Sequence, residues 1–158
     1  MALRNIRTEG DPVLAKRAKE VTKLDERTVE LIEDMLDTMY EANGVGLAAP
    51  QVGILKRIVV IDVTEEGDSP IILINPEIIE TDGSQTGDEG CLSVPGKSGT
   101  VTRAYYVKVR GYDENMELCE IEGNELLARA LQHEIDHLNG ILYTSKVEGE
   151  LKTNTDAE

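Results

Sequence analysis

"LARALQHEIDHLNG", residues 127–140, places His133 and His137 four residues apart, with Glu134 beside the first. On a helix, side chains four apart share a face, with Cβ atoms about 5–6 Å from each other. Two imidazoles so spaced can grip one metal ion, and a carboxylate one step round stands near that ion as a general base. Leu127, Leu131 and Leu138 form an apolar stripe, and Leu126, Ala130, His133 and His137 form the stripe beside it. Asn124 is a good cap and Gly140 a good stop, so the segment reads as an amphipathic helix. The competing reading is two histidines that fall at this spacing by chance. The clean caps and the adjacent apolar stripe favour the metal site.

A metal site that performs chemistry takes three protein ligands and keeps one position open. The chain has only these two histidines. Downstream of His137 the acids are Glu148, Glu150, Asp156 and Glu158, all in a polar segment with no sign of a second helix. Upstream, Cys91 lies next to Gly90 in "DEGCLSVPG", where the glycine lets backbone approach a site closely. A thiolate suits a borderline-soft metal. Cys119, beside Leu118 and Ile121, reads as a small strand residue. Cys91 is the better third ligand, and a tail carboxylate stays the alternative.

Outward from the motif, "TKLDERTVELIEDMLDTMYEANG" repeats Thr28, Leu31, Ile32, Met35, Leu36 and Met39 at helical spacing. Thr22 can cap this helix and Asn43-Gly44 can stop it. "GVGLAAPQVG" carries too much Gly and Pro for regular structure. "KRIVVIDV", "PIILINPEIIE", "YYVKVRGYD" and "MELCEIEG" read as strands, and "TDGSQTGDEG" as a loop or hairpin end. Short connections make the sheets antiparallel. The expected class is α+β: antiparallel β-sheets packed around a central motif-bearing helix, plus an N-terminal amphipathic helix. One domain is expected over 1–147, followed by a polar, acidic tail over 148–158.

The 158 residues include no Phe or Trp and carry a net charge of −15. The core must therefore be aliphatic, and the acidity speaks against a nucleic-acid clamp. The N-terminus lacks the apolar region of a signal peptide, and no apolar run approaches ~20 residues, so no membrane span is expected. A cytoplasmic setting follows, in which two cysteines read as ligand or core rather than as a disulfide.

Three blocks, "GVGLAAPQ" (44–51), "EGCLS" (89–93) and "QHEIDHL" (132–138), resemble in order the signature motifs of the peptide deformylase family. "GDPVLAKRAKEV", "INPEI" and "SVPGKSGTVTR" extend the resemblance to roughly residues 3–143. It implies a hydrolase that takes the formyl group from N-formylmethionyl nascent peptides and releases formate. It implies that Cys91, His133 and His137 bind Fe2+, replaceable by Ni2+, Co2+ or Zn2+. Glu134 is then the general acid/base, and the Gln51 amide and the Leu92 N–H donate to the formyl oxygen. Val45, Leu126, Arg129 and Ala130 would line the pocket for the first side chain, the Arg129 stem forming wall with its charge at the rim. Gly46 and Gly90 would offer backbone to the peptide as an added strand. Glu89, placed in the same substrate-contacting group, pairs with Arg103 to brace the metal loop. The segment after Tyr143 does not resemble the basic helix through which some members dock on the ribosome, so docking is not expected.

Overall fold

The computed structural model describes residues 2–153. Helix α1 (Glu26–Glu41) begins at Asp25, whose carboxylate accepts from Thr28 N at 2.9 Å and Thr28 Oγ1 at 2.8 Å. The cap is thus Asp25 rather than Thr22, because Asp25 can satisfy two donors in the first turn. The helix ends where Asn43 adopts a left-handed φ of 58°.

Among the described residues, eight strands form two antiparallel sheets. The larger has the order β1-β2-β3-β6-β7, made from Gly46–Ala48, Ile58–Ile61, Ile71–Asp82, Tyr106–Tyr112 and Leu118–Asn124. The smaller is β4-β5-β8, from Gln85–Cys91, Val94–Arg103 and Glu148–Thr153. The motif helix α2 (Glu125–Leu138) packs on one face of the larger sheet and α1 on the other.

This two-sided covering explains β2, whose four residues are all buried. Val59 and Ile61 join Leu131, Ile135 and Leu138 of α2 in one apolar cluster. Ile58 and Val60 join Leu31, Ile32, Met35 and Met39 of α1 in another. A strand buried on both faces reads as an unbroken apolar run, and "IVVI" does. Strand β6 has only one face inside: Val107 and Val109 are fully buried, while Arg110 is exposed.

Three segments depart from the sequence reading. "TDGSQTGDEG" is the end of β3, a turn at Gly83 (φ 66°) and most of β4. Its small polar residues disfavour a strand locally, but β5 supplies a full ladder from Gln85↔Arg103 to Gly90↔Ser98. "GVGLAAPQVG" contains β1 and a 3-10 turn over Ala49–Val52. Residues 148–153, read as the start of the polar tail, form β8 against β5, pairing Thr100↔Glu148 and Ser98↔Lys152 on either side of a register shift. Backbone pairing to an existing sheet orders this strand although all six residues are exposed. Residues 154–158 of the expected tail lie outside the described residues.

The end of α2 is held from a distance. The buried Arg57 guanidinium, on the approach to β2, donates to Leu138 O at 2.9 Å, Ala18 O at 3.3 Å and Asn139 Oδ1 at 3.0 Å. The terminal helix carbonyl of Leu138, which has no intrahelical partner, is thereby satisfied. Gly140 follows with φ 77°, and a Cβ there would meet Ala15 O at 2.6 Å, so glycine is required on both counts.

Asp62, after β2, ties α1 to the loop that follows. Its carboxylate accepts from Tyr40 OH at 2.6 Å, Ser69 N at 3.1 Å and Thr64 N at 2.9 Å. Burial opposes its charge, but these donors and the Thr64 hydroxyl outweigh that and hold it at about 2, below its ordinary 3.8. A depressed carboxylate stabilises the fold above its unfolded pKa, and the contribution fades as pH falls toward the folded value. Asp62→Asn should therefore cost on the order of 2 kcal/mol at pH 7. Urea unfolding of both proteins should show this gap closing between about pH 4 and pH 2; a pH-independent gap would disprove a charged Asp62.

Candidate metal centre

The 3.6-residue period of α2 puts His133 and His137 on one face, and their rings stand edge to face with centroids 5.0 Å apart. Strand β4 delivers Cys91 to the same point, at its last residue, where a register shift between Gly90 and Cys91 turns the chain. Cys91, His133 and His137 present ligand atoms all within 4.8 Å of one another, the one such group among the described residues. Cys91 Sγ lies 3.3 Å from His137 Nε2. A tetrahedral ion with ordinary metal–sulfur and metal–nitrogen bonds separates such ligands by about 3.5 Å. Glu148 and Glu150, the rival ligands, lie on exposed β8, where Glu148 accepts from Thr102 Oγ1. Asp156 and Glu158 lie outside the described residues.

Around these atoms a buried network centred on Glu89 restrains His133. Glu89 Oε1 meets His133 Nδ1 at 2.5 Å, so the other ring nitrogen, Nε2, is left for the cluster. Arg103 grips Glu89 with two bonds, Nη2 to Oε1 at 2.7 Å and Nε to Oε2 at 2.8 Å. Arg103 Nη1 also reaches Asp136 of α2 at 3.0 Å. Arg129 Nη1 adds a bond to Glu89 Oε2 at 2.7 Å and another to Val101 O at 3.2 Å. Tyr143 stacks on His133 with centroids 6.0 Å apart.

Two expectations change here. Arg129 does not hold its charge at the rim; its guanidinium turns inward, because the buried Glu89 carboxylate needs compensating cations. Glu89 lines the cleft, but its carboxylate is occupied by Arg103, Arg129 and His133 and has no capacity left for a substrate.

The electrostatics follow from burial. Burial raises Glu134 to about 7. Burial also lowers His137 to about 3, with the neighbouring His133 adding to the effect. For His133 burial works against the cation, yet Glu134, Cys91 and Glu89 overcome it and lift the ring to about 10. That cationic ring belongs to the metal-free pocket, since a ligand imidazole must offer a lone pair. Burial opposes the Glu89 charge, but Arg103 and His133 hold it far below the usual carboxylate range. Glu134 Oε1 and His137 Nδ1 are buried polar atoms with no hydrogen-bond partner. An orphaned carboxylate oxygen beside two imidazoles and a thiol fits a site built to receive a cation and its water. The donor set, one sulfur and two nitrogens, suits a borderline-soft divalent metal.

A cleft of about 740 Å³ opens over the cluster. Val45, Gly46, Gln51, Glu89, Gly90, Cys91, Leu92, Leu126, Arg129, Ala130, His133 and Glu134 all line it. His137 and Arg103 do not, His137 being 1% exposed against Cys91. Val45 and Leu126 expose apolar surface, at 44% and 48%. The cleft lies between two edge strands, β1 and β4. A Cβ on Gly46 would come within 2.6 Å of Glu134 Oε2, so the β1 backbone packs directly on that carboxylate. Lys97 and Asp88, at the cleft's margin, carried no sequence signal.

The sequence profile of the polypeptide deformylase family matches residues 3–153. The peptide deformylase of Agathobacter rectalis is 70% identical over 151 residues, covering 96% of this chain and 94% of that one. A crystal structure of a peptide deformylase from Legionella pneumophila aligns with a TM-score of 0.89 at 48% identity, covering 92% of this chain and 86% of that one. One from Synechococcus elongatus, in complex with actinonin, aligns with a TM-score of 0.89 at 45% identity, covering 93% and 80%. With the fold, the cluster and these likenesses in agreement, the chain belongs to the polypeptide deformylase family.

Proposed function

We propose that Cys91, His133 and His137 hold one Fe2+ ion, and that Glu134, Gln51 and the Leu92 N–H act with it on the formyl group of N-formylmethionyl nascent peptides. The reaction class comes with the family: its members are metal-dependent hydrolases that remove the N-formyl group from new polypeptides, and this chain is one of them. The observation that carries the residue assignment is the convergence of Cys91, His133 and His137 beside the unpartnered Glu134 Oε1.

The ion, when bound, makes water a better nucleophile at neutral pH and polarises a carbonyl oxygen. Glu134 takes a proton from the water that attacks the formyl carbon and delivers it to the departing amine. The products are formate and a free N-terminus. Gln51 Nε2 and the Leu92 N–H donate to the formyl oxygen as it gains charge; one such donor is typically worth roughly 3–4 kcal/mol. The peptide runs between β1 and β4 as an added strand, along Gly46 and Gly90, with its first side chain against Val45, Leu126 and Ala130. Arg129 contributes only its stem to that wall. Other divalent ions, Ni2+, Co2+ or Zn2+, fit the same donors.

The enzyme works in the cytoplasm, where its substrates are made; no helix among the described residues is long and apolar enough to cross a membrane. Ribosome docking is not part of the proposal. Among the described residues, α2 is followed by a 3-10 turn over Tyr143–Lys146 and by β8, with no basic helix.

Incubation with formyl-Met-Ala-Ser should yield formate and intact Met-Ala-Ser, and cleavage of internal bonds would refute deformylation. Glu134→Ala should abolish turnover yet retain bound metal, whereas Cys91→Ser should lose metal because a hydroxyl is a far poorer ligand. Metal analysis beside the formate assay separates the two, and Glu134→Ala losing its metal would make Glu134 a ligand. Glu89→Ala leaves two guanidinium groups without their carboxylate and should cost about 3–5 kcal/mol in denaturant unfolding. It should also weaken metal binding by roughly 10–100-fold; unchanged metal affinity would remove Glu89 from any role in orienting His133.

A further inference from the structure

The Gln51 side chain has an oxygen end and a nitrogen end, and its surroundings decide which is which. Ala48 N–H can only donate, and it lies 2.9 Å from one end, so that end is Oε1. The other is Nε2, at 3.0 Å from Ser93 Oγ and 3.6 Å from Cys91 Sγ. Nε2 carries two hydrogens. One goes to the Ser93 hydroxyl, and the second is donated toward Cys91 Sγ, into the metal cluster. Gln51 is 1% exposed and Ser93 0%, so water does not compete for either position.

We propose that Ser93 is a positioning residue for deformylation: its hydroxyl takes one hydrogen of the Gln51 amide and thereby aims the other at the formyl oxygen. This rests on the reading of Gln51 as a donor to that oxygen. The backbone around Ser93 is built to hold it. Leu92 and Ser93 form the two-residue turn between β4 and β5, closed by the pair Cys91↔Val94. The Ser93 N–H points at Cys91 Sγ, 3.4 Å away. Behind the turn, Glu9 N donates to Ser93 O at 2.7 Å, and Arg7 N donates to Gln51 O at 2.6 Å. One short stretch of the N-terminal segment thus clamps both partners, and the Gln51–Ser93 spacing is set by backbone bonds. Leu92, whose N–H is the second donor to the formyl oxygen, sits in the same turn. Ser93 therefore ties the mobile donor, a side-chain amide, to the fixed one.

The test is a double-mutant cycle on the metal-loaded enzyme with formyl-Met-Ala-Ser, with metal content and thermal midpoint measured for each protein. Gln51→Ala should lower kcat about 100-fold, as loss of an oxyanion donor does. Ser93→Ala should keep its metal and lower kcat about tenfold with KM nearly unchanged, the effect of a misaimed group. Ser93→Thr, which keeps the hydroxyl, should restore most of that loss. The decisive member is the double variant, which should be no slower than Gln51→Ala alone, because a residue acting through Gln51 has nothing left to position. Multiplicative losses in the double variant would overturn the proposal, as would wild-type kcat or lost metal in Ser93→Ala. Wild-type kcat in Gln51→Ala would overturn the Gln51 reading itself, and Ser93 with it.

Discussion

The Glu89 carboxylate is the point on which the site hangs. Its two oxygens receive Arg103 twice, Arg129 once and His133 once. The donors come from β5 and α2, and the acceptor from β4, so one carboxylate joins three elements. The charges nearly cancel: Arg103 and Arg129 face Glu89 and Asp136. A buried network of this kind is weak evidence for stability, since desolvation offsets much of the attraction. Its value lies in specificity. Sliding β4 by one residue would leave Arg129 buried without an anion and Arg103 with Asp136 alone, and would carry Cys91 away from the histidines. The contact to His133 Nδ1 also settles which ring nitrogen is free to bind a metal.

The larger sheet gives this network a rigid floor. Strand β2 is apolar on both faces, so α2 and α1 press on it from opposite sides. Deleting a side chain such as Leu131 from that sandwich typically costs 2–5 kcal/mol, and it would loosen the same helix that carries both histidines. Arg57 secures the far end of α2, at Leu138 and Asn139, the two residues that follow His137. The C-terminal part of the helix is therefore fixed by two guanidinium groups: Arg57 at its end and Arg103, through Asp136, along its flank.

What could be read from the sequence divides along local and non-local lines. The two histidines were legible because helical periodicity is local, and α1 and β2 because apolar spacing is. Cys91 was legible as the histidines' partner by its chemistry, and the structure brings the three together, although its approach to α2 depends on the sheet rather than on local spacing. Strands β4 and β8 were not legible. Their Gly, Asp, Glu and Thr content argues for loops, and only β5 between them supplies the ladder that overrules it. The inward turn of Arg129 was invisible for a related reason. Nothing near it in the chain announces a buried carboxylate, since Glu89 is brought there by the sheet. Ser93 and Arg57 share that character, each an ordinary polar residue whose partners lie far off in sequence.

Gly46 joins the fold to the chemistry at the closest quarters. It lies on the edge strand β1, paired to Ile61 on one side and open to the cleft on the other. Its missing side chain lets Glu134 Oε2 sit where a Cβ would be only 2.6 Å away. The strand edge that would pair with a peptide and the carboxylate that would handle its proton are thus in van der Waals contact. A peptide registered on β1 is registered on Glu134 by the same bonds. On the proposed binding mode, the main-chain hydrogen bonds that give affinity would also help to align the scissile amide. Any side chain at position 46 would separate the two functions, which is why this position must be glycine even though its backbone conformation does not demand one.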